Sequence, residues 1–87
     1  MITPEEARHN ANIYCKVNSE IILDQIEYQI KEKSKRGECE TMYPVENKTV
    51  RKMVVKNLIK HGYKAKEICE KRLGLYVDTI YYVWVRW

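Results

Sequence analysis

Cys15, Ser19, Ile22, Leu23, Ile26 and Ile30 recur three and four positions apart, which places them along one side of an α-helix. A second stripe follows a heptad, with Ala7, Tyr14, Ile21 and Tyr28 at one position and Asn10, Val17 and Asp24 at the other. The two stripes lie more than about a third of a turn apart, so one sheet does not bury both. The helix opens on ITPEEAR, where Thr3 is a good N-cap, Pro4 suits the first helical position and Glu6 completes a Thr-x-x-Glu box. Nothing breaks it before SKRG at Ser34–Gly37, which predicts a helix over about 4–35, ~45 Å long. Lys31, Lys33, Lys35 and Arg36 favour its negative end, and Gly37 suits a left-handed cap. Either this helix stands straight with the heptad stripe uncovered, or it bends near Asn18–Ser19 and wraps its own domain.

Beyond Gly37 the pattern shortens. ECETMYPVE reads as a strand over about 38–45, and Pro44 confines it to a sheet edge. A second helix over about 48–61 is capped by Asn47 or Thr49, carries Val50, Val54 and Leu58 on one face, and stops at Gly62. The remainder, about 63–87, reads as a hairpin: YKAKEICEK, a turn at KRLGL, and YVDTIYYVWVRW. The order is α-β-α-β-β. A hairpin makes the last two strands antiparallel, and the crossover makes the first strand parallel to the second. Placing the last strand between them, in the order 1-3-2, makes every neighbouring pair antiparallel and puts Pro44 at an edge. The expected fold is thus a two-layer α+β domain, with both helices on one face of a three-stranded sheet.

The last strand is apolar on both parities. Val77, Thr79, Tyr81, Val83, Val85 and Trp87 share one face, which we assign to the core. Tyr76, Asp78, Ile80, Tyr82, Trp84 and Arg86 share the other. Two helices do not cover both sides of a sheet, so Ile80, Tyr82 and Trp84 are expected to meet another molecule. These three, or Tyr14, Val17, Ile21 and Tyr28 on the spare helical stripe, are the candidate protein interface of a homodimer or larger assembly.

Composition adds limits. Eighty-seven residues fit one domain with a thin stability margin, which association would widen. The chain has no Phe but seven Tyr and two Trp, residues suited to partly wet contact surfaces. No apolar run approaches a membrane span, and no signal peptide opens the chain. Cys15, Cys39 and Cys69 are odd in number and widely spaced, which points to reduced thiols in a cytoplasm. Neither His9 nor His61 has a neighbour at metal-site spacing, so no metal is expected, nor any cofactor.

The net charge of +4 permits a polyanionic partner. Lys48, Lys52, Lys56 and Lys60 recur every fourth position on the second helix with Arg51 beside them, a ridge suited to phosphates or to plain solvation. With Tyr82 and Trp84 as stacking platforms it gives the alternative function, binding of single-stranded RNA or DNA. The ridge and those aromatics are expected on opposite sides of the sheet. Catalytic signatures are missing: the chain holds no Gly-rich phosphate loop, nucleophile elbow or paired-His helix. Cys69 and His61 are a thiol and a base, yet a mid-strand Cys69 reads as a small buried hydrophobe and His61 as a helix C-terminal residue. Glu38 and Glu40 read as charges that discourage edge pairing. The expectation is a protein that is not an enzyme.

The long capped first helix, the short strand, a second helix ending in L-x-K-x-G-Y (Leu58–Tyr63) and the closing V-x-W (Val85–Trp87) together resemble a widespread type of small phage-encoded protein. The likeness spans the whole chain. Such proteins are mostly of unassigned function, so it carries over no active residues. It implies a cytoplasmic accessory protein of an infected bacterium that acts by binding, including inhibition of host defence or regulatory components. The target would be a host protein, or a small nucleotide held between subunits against Lys and Tyr side chains.

Overall fold

The computed structural model describes residues 1–74 and 78–87. Leu75, the last residue of the expected turn, and Tyr76 and Val77 of the expected last strand lie outside the described residues. The elements run α1 (Pro4–Lys35), β1 (Glu40–Pro44), α2 (Lys48–Lys60), β2 (Lys64–Arg72) and β3 (Asp78–Arg86). The sheet has the order β1-β3-β2 with both pairings antiparallel, so the fold is the α+β arrangement expected.

Local chemistry sets the boundaries. The Thr3 hydroxyl accepts the Glu6 N–H at 3.1 Å and Pro4 opens the first turn of α1. At the other end Gly37 sits at φ 79°, its N–H bonded to Ser34 O at 3.1 Å while the Glu38 N–H reaches Lys33 O at 3.0 Å. This pair of bonds is a Schellman closure, which needs the left-handed backbone that glycine adopts without strain. Helix α2 uses the same device. Asn47, rather than Thr49, caps it by accepting the Val50 N–H at 3.0 Å, and Gly62 at φ 93° turns the chain into β2. Glu38 lies in the turn outside β1, where its carboxylate stands 3.4 Å from Arg36 Nε. It therefore does not share a strand face with Glu40.

Helix α1 is one unbroken helix of 32 residues, with no break at Asn18–Ser19. Its inner stripe is the expected one: Ser19, Ile26 and Ile30 are buried, and Cys15, Ile22 and Leu23 are half-buried against the core. Ser19 is accommodated because its hydroxyl donates to Lys16 O at 2.8 Å. Helix α1 packs on α2 and β1, while α2 packs on β2 and β3. The core is completed by Val45, Val50, Val54, Leu58, Val83 and Val85, so the odd-numbered face of β3 is the one beneath the helices. Thr41 and Tyr43 of β1 share that face and donate their hydroxyls to Gln29 and Gln25 of α1, tying helix to sheet edge.

Two residues depart from the pattern for the same reason. The helices cover the hairpin only in part, so Cys69 is exposed rather than buried, and its ladder partner Tyr81, met from α2 by the Arg51 side chain, stays exposed as well. The domain is thin, with principal extents of 53 × 38 × 17 Å, and β2 forms a free sheet edge carrying Lys64, Lys66, Lys71 and Arg72.

Candidate binding surfaces

The first surface is the outer side of α1. Every residue from Met1 to Tyr14 is exposed; Tyr14 borders a groove with Pro44, Asn47 and Val50, and the helix before it, about three turns, runs clear of the domain. Tyr14, Val17, Ile21 and Tyr28 remain 57, 48, 50 and 67 % exposed, although they follow one line along the helix. Ile13, which the sequence reading passed over, extends this line and is also exposed. An isolated helix of about eleven residues is marginal in water, so the overhang relies on continuation from the packed half of α1.

The second surface is the outer face of the sheet. Strand register sets its rows. Met42, Trp84 and Lys66 lie side by side; next come Pro44, Tyr82 and Ile68, then Ile80 and Glu70. Both helices are on the opposite face, so among the described residues nothing lies over these rows. Ile80, Tyr82 and Trp84 are half-buried, because neighbouring side chains on the same face shield one another. Lys66 Nζ stands 5.0 Å from the centre of the Trp84 ring, a cation–π distance. Arg86 and Lys64 occupy the row beyond Trp84, opposite Glu40; Asp78 and Arg72 occupy the far end. The sequence reading identified only the β3 members. Met42, Pro44, Ile68 and Lys66 follow from the alternate-residue rule once β3 is set between the other two strands.

The third surface is α2. Lys52, Lys56 and Lys60 are exposed and stand opposite the buried Val50, Val54 and Leu58, with Lys48 exposed at the first turn. Lys52 and Lys56 border a shallow groove with Glu67 of β2, on the helix side of the sheet, whereas Tyr82 and Trp84 occupy its outer face. Arg51 is not part of this lysine ridge. Its side chain is only 6 % exposed and turns inward, donating from Nε to Glu67 Oε1 at 2.8 Å and from Nη1 to Val45 O at 2.9 Å and Glu46 O at 3.0 Å. Its guanidinium carbon lies 4.4 Å from the centre of the Tyr81 ring. Arg51 thus joins the end of β1, the flank of β3 and the edge of β2, and is a structural clamp rather than a phosphate ligand. The four-residue ladder of lysines hid it, because Arg51 lies one position before Lys52 and so about 100° around the helix.

A shallow cleft remains between α1 and the end of α2, lined by Leu23, Glu27, Ile30, Asn57, His61 and Tyr63. His61 Nδ1 lies 2.9 Å from Asn57 O in the helix cap. Cys69 lies well along β2, since Lys64 to Cys69 alone spans ~16 Å of strand. Among the described residues no group of three His, Cys, Asp or Glu side chains gathers at metal-binding spacing. No described helix is long and apolar enough to cross a membrane. Comparison with protein-family models, curated proteins and solved structures finds no match to this chain.

Proposed function

We propose that this protein acts by binding rather than catalysis, as a self-associating accessory protein of the phage type whose target is a host defence or regulatory protein. One observation carries the reading: the unbroken helix α1 presents Tyr14, Val17, Ile21 and Tyr28 in line and exposed, in a chain whose sheet also shows an uncovered apolar face. Solvated surfaces of small monomers rarely keep two such areas. The helical stripe suits a protein groove that takes anchors at helical spacing, and the sheet face suits a flat partner.

Solution mass tests the self-association. Sedimentation of the wild type at about 100 μM is expected to show an assembly, since even a micromolar contact is nearly saturated there. A monomer at that concentration removes the self-associating reading. Val17→Glu and Tyr82→Glu place a charge on each surface in turn and show which one joins the copies. An assembly insensitive to both substitutions removes these contacts.

The second reading, single-stranded nucleic-acid binding, has one observation in its favour: Lys66 lies over Trp84, with Lys64 and Arg86 in the adjoining row. It moves the basic contribution from the α2 ridge to the sheet. Retention on single-stranded DNA or RNA that falls steeply with salt, and falls with Lys66→Glu but not with Lys52→Glu, is its signature.

A further inference from the structure

Resting on the self-associating reading, we infer that the open face of the sheet is the contact between copies, two sheets packing face to face about a two-fold axis that passes beside Tyr82 and Ile68. The charge arrangement points to this. Along β2 and β3 the outer face is apolar in the middle, basic at the Arg86 end with Lys64 and Lys66, and carries Glu70 and Asp78 beside Arg72 toward the hairpin tip. A polyanion laid along the strands would meet Glu70 and Asp78 as well as the lysines. A second copy turned end for end meets a complementary surface. The two-fold then sets Tyr82 beside the partner's Tyr82 and Ile68 beside the partner's Ile68. Trp84 falls opposite the partner's Ile80, Lys66 opposite the partner's Glu70, and Arg86 opposite the partner's Asp78; Lys64 falls opposite the partner's Arg72, the one like-charged pair, on the outer edge strand where both stay solvated. An isologous interface forms each of these off-axis contacts twice. The other simple two-fold, along β3, brings Lys64 to the partner's Glu40 but sets Arg86 against the partner's Arg86, Asp78 against the partner's Asp78 and Lys66 against the partner's Met42, so charge still selects the first.

Size and geometry agree. Strands β2 and β3 have nine residues each and β1 has five. They give a face ~30 Å long and, at its widest, ~14 Å across. Covering it removes roughly 800–1,000 Å² in total from two copies, the size of a weak, reversible interface. Aligned sheet packing at ~10 Å leaves room for interdigitated Tyr82 and Trp84 rings. The Lys66 ammonium, already held over Trp84, is placed at the rim of this apolar centre. Helix α1 lies on the opposite side of each sheet, so the dimer leaves both helical stripes free for a target.

A charge swap tests this. Lys66→Glu and Glu70→Lys, each made alone, turn two attractive pairs into repulsive ones and are expected to raise the dimer Kd about tenfold or more. The double substitution restores opposite charges in reversed sense and is expected to recover most of the affinity. Tyr82→Glu is expected to give a monomer and Val17→Glu to leave the dimer intact, with circular dichroism confirming that each variant folds. A wild-type monomer overturns this inference together with the self-associating reading. Assembly lost on Val17→Glu but kept on Tyr82→Glu keeps that reading and overturns the sheet contact. Two damaging single substitutions without recovery in the double overturn the end-for-end register. Single-stranded DNA binding that fails with Lys66→Glu, in a protein that stays monomeric, assigns the face to nucleic acid instead.

Discussion

Replacing Arg51 by Met tests whether the clamp across the sheet holds the fold together. Methionine matches much of the aliphatic stem, so the substitution removes mainly charge and donors. Three acceptors lose a partner: Glu67 Oε1 and the carbonyls of Val45 and Glu46. Removing one member of a buried ion pair costs about 3–5 kcal/mol, and the lower end applies here because the Glu67 side chain is 35 % exposed and rehydrates. Breaking the contact with Tyr81 adds to the loss. Against a total of about 4–13 kcal/mol for a domain of this size, about 3 kcal/mol is a large share. The thermal midpoint is expected to fall by about 12–24 °C. Urea unfolding followed by circular dichroism should give a lower midpoint at unchanged m. Glu67→Gln keeps an oxygen acceptor at the same place and is expected to cost less, about 1 kcal/mol. Arg51→Met within about 0.5 kcal/mol of wild type would show that Arg51 is a passive neighbour, and the reasoning from its bonds would fail.

Ile26→Ala empties a fully buried position between α1 and the sheet and is expected to cost about 2–5 kcal/mol by urea unfolding. Gly62→Ala forces a side chain into φ 93° and should cost about 1–2 kcal/mol, although open space surrounds the position. Deleting residues 1–13 removes only exposed side chains and should change the unfolding free energy by less than about 1 kcal/mol. Backbone amides of Arg8–Tyr14 should exchange with solvent far faster than those of Ile22–Ile30, and bound target should slow the first group selectively.

The architecture was legible in the sequence because each element carried its own stop signal. Thr3 and Asn47 open the helices, Gly37 and Gly62 close them, and Pro44 sends β1 to an edge. The parity of β3 named its inner face, with Val83 and Val85 fully buried. Arg51 was not legible, because periodicity ranks residues by polarity and an inward-facing guanidinium looks like a surface charge. Its environment exists only once Val45, Glu67 and Tyr81 converge from different elements. Cys69 and Tyr81 were misplaced because strand parity tells which face a residue occupies, not how far the covering helices reach. The rest of the sheet face, Met42 and Ile68 included, needed the register between strands, a long-range property that no local window contains.

The position of β3 has a consequence for synthesis. It is the middle strand of the sheet, yet it comes after both strands it joins, and Glu40 pairs with Arg86. Until the ribosome has released β3, β1 and β2 have no ladder partner, and α1 and α2 have no sheet beneath them. The nascent chain therefore gains its whole sheet in a single late event. A stall or premature stop before Val83 leaves a pair of amphipathic helices with exposed inner faces, a natural substrate for chaperones and proteases.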